Sequence, residues 1–270
     1  MQHFSADSLI LRAVDRGEHD KLLTVLTAEH GRFYAILKGA HSMHRREAAA
    51  AAPYTLRNIE YYEKNGVKWV KNATAQETFP GIRYDMEKLF LAAYVAEVAF
   101  ELSDERQPAG EILTLALNPL YMLSVTKGED RRIKAAFELR AACIAGFSPD
   151  LSYCRRCGKT VVDNAYFDVM NGAPLCLSCA ERARGLLPPD AVDEFGDRAL
   201  YLPLPLGVRA ALSYVASAEE KRGFSFRLSD ELSLSYLGDI AEAYLLHHLE
   251  RGFPTLENYK KLTAIVPPRK

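Results

Sequence analysis

The sequence lacks long apolar runs, a strong net charge of either sign, and the glycine-rich or histidine-bearing motifs of the common catalytic folds. No uninterrupted apolar stretch approaches the ~18–20 residues needed to span a bilayer, which excludes a transmembrane helix. The first twenty residues carry Asp7, Asp15, Glu18 and Asp20 with no apolar block among them, so no secretion signal is expected and the chain is assigned to a cytosolic, reducing compartment. Lys and Arg number 34 against 35 Asp and Glu, a formal charge of -1, which excludes a chain that coats a polyanion with its whole surface. There is no phosphate-binding glycine loop, no nucleophile elbow and no His-x-x-x-His helix, and no carboxylate cluster of the kind a metal-dependent nuclease uses can be assembled. An enzyme is not expected. Tryptophan occurs once in 270 residues, at Trp69.

What is present begins with strands. Ser8 to Val14, Lys21 to Thr27 and Gly31 to Lys38 are short, rich in Leu, Val, Ile and aromatics, and separated by turn residues. Thr55 to Glu63 and Val67 to Thr74 flank Asn65-Gly66, the dipeptide that best fits the positive φ angles of a tight hairpin turn. Period-two alternation puts Val67, Trp69 and Lys71 on one face and Lys68, Val70 and Asn72 on the other. The longer connection from Ala40 to Pro53 contains the helix-prone run Ala48 to Ala52, stopped by Pro53. Five strands with a short helix after the third predict an OB-type barrel over residues 1–80, with an SH3-like barrel as the alternative.

From Tyr84 onward the periodicity becomes helical. Leu89, Ala93, Ala96, Val98 and Leu102 recur at helical spacing behind the acidic Asp85 and Glu87, which suit a helix N-terminus. Gly110 to Thr126, Arg131 to Gly146, Gly207 to Ala218 and Ser229 to Arg251 read the same way, with Ser229 as N-cap of the last. Pro188-Pro189 and Pro203-Leu204-Pro205 read as connections. The fold class expected is therefore α+β and multidomain: the barrel, then a helical domain over 81–270 that contains a cysteine module at 150–184.

That module is Cys154-x-x-Cys157, eighteen residues, then Cys176-x-x-Cys179. Two such pairs bring four sulfurs to one tetrahedral ion, and the spacing fits a zinc site. Two disulfides or four unrelated thiols are the competing reading, disfavoured by the spacing and a reducing compartment. Four thiolates close the coordination sphere, so one structural Zn2+ is expected rather than a catalytic one. Gly158 lets the first knuckle curl, Asn171-Gly172 turns a short hairpin between the pairs, and Arg155, Arg156 and Lys159 would offset thiolate charge. Cys143, on an apolar helix, reads as a small core residue. His247 and His248 are adjacent on a helix, point apart and are not a chelating pair.

The stretch His30 to Arg46 holds Arg32, Lys38, Arg45 and Arg46 with three histidines and no acid. On a small barrel such cations can line a phosphate groove, with Phe33, Tyr34 or Trp69 available to stack bases. The competing reading is a solvated charged face with those aromatics in the barrel core.

Over these segments the chain resembles the RecO recombination-mediator proteins of bacteria. The likeness is carried by Leu11-Arg12, by Gly17 through Thr24, by Thr27 to Gly31 and by Lys38-Gly39-Ala40. It continues through Phe137-Glu138-Leu139-Arg140, Gly146 through Leu151, the two cysteine pairs, and His247-His248-Leu249-Glu250 through Thr255-Leu256. The resemblance implies an N-terminal OB-fold and a zinc-bearing helical domain in a cytoplasmic, nucleoid-associated protein. It implies binding of single- and double-stranded DNA without sequence preference, annealing of complementary strands, and, with RecR, help for RecA in displacing the single-strand-binding protein SSB. Carried to matching positions, Arg12, Lys21, Arg32, Lys38, Arg45 and Arg46 are the implied DNA contacts. Arg131, Arg132, Lys134 and Arg140 lie on the stretch expected to receive the acidic, apolar C-terminal tail of SSB. The loop after Ala40 departs from the family in carrying His41, His44 and Glu47 where arginine and serine are usual, which would make binding rise below pH ~6.5. The alternative function is a zinc-containing nucleic-acid or protein-interaction adaptor in transcription or RNA metabolism; complex formation with RecR and the SSB tail separates the two.

Overall fold

The structure is a computed structural model that describes residues 2–40, 51–186, 201–219 and 222–265. It divides into two compact units, Met1–Asp130 with Phe253–Lys270, and Arg131–Gly252.

In the first unit five strands close a barrel in the order β1-β2-β3-β5-β4: β1 Gln2–Arg16, β2 Asp20–Thr27, β3 Gly31–Leu37, β4 Leu56–Lys64 and β5 Val67–Glu77. All neighbours are antiparallel except β3 and β5, which meet in parallel through Ala35 with Lys68 and Ile36 with Trp69. This is the closed five-stranded barrel expected of an OB-type fold. Ile10, Leu23, Val25, Phe33, Ile59 and Val70 alternate into its interior and form a buried cluster. Strand β1 is longer than the sequence suggests. Its first half, polar and weakly patterned, pairs with β4 from Gln2 to Leu9, and from Ser8 onward it pairs with β2, with a bulge between Ile10 and Arg12. The bulge lets one strand bend around the barrel and serve both neighbours.

The hairpin between β4 and β5 turns at Asn65 and Gly66, both at positive φ (54° and 74°), as a type I′ turn demands. Gly31 is also at positive φ, and a Cβ there would collide with the backbone oxygens of Asp104 and Gln107, so only glycine lets β3 start against that segment. Helices α1 (Pro80–Arg83), α2 (Met86–Leu102) and α3 (Gly110–Val125) follow. Asp85 caps α2 by accepting hydrogen bonds from the Glu87 and Lys88 N–H groups. The outward-facing Leu9 and Leu26 are fully buried because α2 and α3 pack over β1 and β2. The last helix of the chain, labelled α8 in chain order (Pro254–Ile265), returns to α2. There Phe253 meets Tyr94 edge-on at 5.6 Å, and the Thr255 N–H donates to Glu97 at 3.1 Å.

The change from strand to helix does fall near residue 80, but compactness divides the chain elsewhere, at 130 and 253. The physical reason is that α2 and α3 pack on each other and on the barrel's outer face, and α8 returns to pack on α2.

Among its described residues the second unit holds α4 (Asp130–Ile144, from its second residue), a three-stranded sheet, and three further α-helices. The sheet has the order β7-β6-β8, with β6 Ala165–Asp168, β7 Ala173–Cys176 and β8 Tyr201–Leu204. The helices are α5 (Leu177–Leu186), α6 (Leu206–Ser217) and α7 (Glu231–His248). Strand β8 corrects the reading of Pro203-Leu204-Pro205 as a connection. Pro203 lies opposite Tyr166 on an edge strand, where a missing N–H is tolerated. The N-cap of α7 is Asp230 rather than Ser229: the Asp230 carboxylate accepts from the Ser233 N–H at 2.7 Å, and the Ser229 hydroxyl donates to Asp230.

Candidate metal centre and nucleic-acid interface

The four cysteine sulfurs lie within 4.8 Å of one another, the one such grouping among the described residues that could hold a metal ion. The first knuckle is made by main-chain bonds: the Cys154 N–H donates to the Lys159 carbonyl and the Gly158 N–H to the Cys154 carbonyl, both at 2.8 Å. The second pair straddles the end of β7 and the start of α5, Cys176 closing the strand and Cys179 lying on the first turn of the helix. The Cys157 and Cys176 sulfurs are 3.8 Å apart. A tetrahedral ion with metal–sulfur bonds of about 2.3 Å needs ligand sulfurs about 3.8 Å from one another. None of the four is in a disulfide. Donor type, number and spacing all fit one tetrahedral thiolate-bound ion.

Electrostatics agree. Burial pushes the Cys154 thiol up, but main-chain N–H groups of Cys176, Cys157 and Arg156 outweigh it and hold the group at about 6, a thiolate-favouring environment. Cys179 is pushed to about 12, foremost by its hydrogen bond with Cys176, as expected of adjacent sulfurs that share protons. Arg155, expected to offset thiolate charge, instead pairs with Asp168 of β6 at 3.2 Å and so ties the knuckle to the sheet.

On the barrel, the strand register sorts the candidate cations into separate places. Lys38, just past β3, stands over the Trp69 ring with its Nζ 4.6 Å from the centroid, and the Arg16 guanidinium approaches the same ring at 6.0 Å. Asp20 fixes the turn beside Lys38 by accepting the Gly39 N–H at 3.0 Å. Arg12 is exposed on β1 next to Tyr54. Lys21 is spent on Asp15, directly opposite in the β1–β2 ladder, at 3.0 Å. Arg32 lies flat over the Phe100 ring of α2 at 3.7 Å, with its Nε buried. It shares the outward face of β3 with Lys38 but six residues away, about 20 Å along the strand. Lys38 and Arg16 are therefore brought together, while Arg12, Lys21 and Arg32 are not part of that cluster. Arg45 and Arg46, with His41 and His44, lie outside the described residues.

Of the aromatics, Phe33 is inside the barrel, whereas Tyr34 is 42% exposed and Trp69 half-buried on the outer face. Tyr62 of β4 lies directly across from Trp69. Arg16 was missed because the strand was expected to end at Val14. The register beyond Trp69 was missed too: a bulge opposite Glu60 and Tyr61 makes Lys71 the extra residue, so it does not follow Val67 and Trp69 in simple alternation.

In the second unit the four cations considered for an acidic peptide all have partners within the unit. Arg131 pairs with Glu231 at 3.1 Å and both are well exposed. Arg132 donates to the Phe226 carbonyl at 2.7 Å and lies over its ring, and Arg140 donates to the Ala218 carbonyl at 2.8 Å. Lys134 is 8% exposed and bridges Glu138, which is fully buried, and Glu242, each at 2.7 Å. Its buried position makes Lys134 a core ion-pair residue rather than a surface cation. Among the described residues no helix is long and apolar enough to cross a membrane.

Comparison with known proteins follows this geometry closely. The family model described as Recombination protein O N terminal matches residues 1–79, and the one described as Recombination protein O C terminal matches residues 83–192. A protein of Acetivibrio thermocellus described as DNA repair protein RecO is 28% identical over 265 residues, covering 98% of this chain and 99% of the relative. Proteins with the same description from Anaeromyxobacter sp. (strain K) and Myxococcus xanthus are 35% and 32% identical. The former covers 70% of this chain and 75% of its own length, the latter 78% and 88%.

Proposed function

The chain belongs to the RecO family of DNA repair proteins, and we propose that it acts as a non-catalytic recombination mediator. In this reading it binds single- and double-stranded DNA, anneals complementary strands and, together with RecR, helps load RecA onto SSB-coated single strands. The observation that carries the reading is the pair of cations, Lys38 and Arg16, held on the outer face of a five-stranded barrel around a half-buried tryptophan. Such cations replace condensed counterions on the phosphate chain, so binding is sequence-independent and weakens steeply with salt. A barrel that neutralises two strands at once lowers their mutual repulsion, and base pairing then proceeds without a covalent step. Arg12, exposed on β1 apart from that cluster, is a further proposed contact, and Arg45 and Arg46, which lie outside the described residues, are proposed from the sequence alone.

The metal in the cysteine module is Zn2+ in this proposal. It would be held by Cys154, Cys157, Cys176 and Cys179, and when bound it supplies a crosslink between the two knuckles and no reaction centre. Its effect is to fix β7 and α5 to the first knuckle, and through the Arg155–Asp168 pair to β6. The SSB tail is proposed to dock on the second unit near Arg131, the most exposed of the four cations considered there.

The test is annealing of complementary strands, bare and SSB-coated, by wild type and by Arg16→Gln/Lys38→Gln. Wild type is expected to accelerate annealing on both. The double variant is expected to lose most of the effect, and its log–log salt slope for DNA binding to become shallower by about one to two. Wild-type protein that neither binds nor anneals DNA at low salt would end this proposal, and DNA binding without any association with RecR or SSB would favour the adaptor reading.

A further inference from the structure

We propose that Trp69, with Tyr62 beside it, is a base-stacking platform that gives this barrel a preference for single-stranded over double-stranded DNA. The inference rests on the nucleic-acid reading above and assigns a specificity role within it.

Trp69 is outside the barrel. Its neighbour Val70 points into the interior cluster, so the indole projects from the outer face of β5. A tryptophan in that position could serve only to cover Ile36, its partner in the β3–β5 ladder, which is buried. Three features argue for more. Among the described residues the surface next to it is exposed: Tyr34 on β3 is 42% exposed and Val67 on β5 is 37% exposed, while the helices α2 and α3 pack on β1 and β2. Tyr62 stands across from Trp69 in the β4–β5 ladder, and His3 of β1 continues the row, its ring 6.0 Å from that of Tyr62. Cross-strand neighbours on one face sit ~4.5–5.5 Å apart at Cβ, which places two aromatic side chains within reach of successive bases. Finally, the ring is paired with the two cations already assigned to phosphate.

The physical distinction between DNA forms follows. A duplex hides the faces of its bases in the stack and offers this surface only phosphates, which Lys38 and Arg16 can take. A single strand offers phosphates and unstacked base faces together. When a phosphate draws the Lys38 ammonium aside, the indole face it covered becomes available to a base. Stacking is sequence-tolerant, because every base has a π face.

The chain's lone tryptophan makes the test direct, since intrinsic indole emission reports this position alone. Full-length protein is titrated with an oligo-dT single strand and with a hairpin duplex, and binding of each labelled DNA is followed in parallel by anisotropy. Saturable change of emission with the single strand, and much less with the duplex at equal occupancy, is expected. Trp69→Leu keeps an apolar cover over Ile36 but removes the indole; it should cut the ratio of single-strand to duplex affinity about ten-fold, with the salt slope unaltered because no phosphate contact is lost. Trp69→Phe should restore most of that ratio. Single-strand binding with unchanged emission in the wild type overturns the proposal without any variant, as does an unchanged affinity ratio in Trp69→Leu; in either case the mediator reading survives. Wild-type protein that binds neither DNA overturns both.

Discussion

Replacing Lys134 by methionine should destabilise the second unit severely, although the substitution keeps the length and apolar stem of the side chain. Lys134 lies on α4 one turn before Glu138 and reaches across to Glu242 of α7, with both Nζ–Oε distances at 2.7 Å. Glu138 is fully buried and Lys134 nearly so, so solvent screens little of the interaction. Burial alone would lower the Lys134 pKa, yet the Coulombic pull and hydrogen bonds of Glu138 and Glu242 outweigh it and raise the group above its ordinary 10.5. A lysine whose folded pKa exceeds the unfolded one contributes its full stabilisation below pH 10.5. That contribution is lost as pH climbs through the raised folded value. At neutral pH Lys134 is therefore a charged ammonium shared between the Glu138 and Glu242 side chains.

Removing the shared cation from a buried pair typically costs about 3–5 kcal/mol, because what remains is buried charge without its counter-ion. Against a usual total stability of ~5–15 kcal/mol that is a large fraction. Divided by a urea m-value of ~1–3 kcal/mol/M, it moves the unfolding midpoint down by more than about 1 M. Far-UV circular dichroism across a urea series reads the shift. The companion variant Lys134→Met/Glu138→Gln, which removes one negative charge as well, should recover part of the loss. A Lys134→Met midpoint within 0.3 M of wild type (roughly 0.5 kcal/mol on that scale) would refute the reasoning, and with it the placement of Lys134 in the core instead of at a peptide-binding surface.

Other outcomes follow from the same coordinates. Protein purified under reducing conditions should carry about one equivalent of zinc per chain, released on titrating the thiols and absent from Cys154→Ser; elemental analysis with no bound metal would remove the proposed crosslink. Gly31→Ala should lower stability by at least about 2 kcal/mol in thermal melts, since it adds a strained positive φ to a collision with the Asp104 and Gln107 backbone, whereas Gly17→Ala, with open space around it, should suffer only the strain.

The barrel was legible in the sequence because its signals are local. Asn65-Gly66 names its own turn, and Leu23, Val25, Phe33 and Ala35 alternate cleanly enough to mark both strands and their inner face. The cysteine module was equally plain, four identical ligands at fixed spacing. What failed to show were features set by tertiary partners. The polar start of β1 becomes a strand only because β4 is there to pair with it, and Pro203 joins a sheet only as the edge of β6. The cations were the least legible of all. Lys38 and Arg32 look alike in sequence, but one ends above Trp69 and the other beneath α2, a difference decided by which side of the barrel the helices cover.

The segments that carry the family resemblance acquire a physical meaning once placed, because within each unit several of them meet. The Gly17–Thr24 stretch and Lys38-Gly39-Ala40 come together where Asp20 accepts the Gly39 N–H, and that single bond orients the turn presenting Lys38. Phe137-Glu138-Leu139-Arg140 supplies the buried carboxylate of the Lys134 cluster and the arginine that holds the Ala218 carbonyl. Gly146, at φ 97°, ends α4 so that Phe147 stacks on His248 at 4.4 Å, joining the Gly146–Leu151 stretch to the His247-His248 pair. His248 in turn meets Tyr244, whose ring leaves room at the Gly172 turn for a hydrogen and nothing larger. That turn belongs to the hairpin between the cysteine pairs. The second unit is thus wired from helix end to cysteine knuckle through contacting rings and one glycine, so the cysteine module's position depends on α7. A substitution at Gly172 should disturb the module even with the metal bound, because the added methyl must displace Tyr244 before the hairpin can seat.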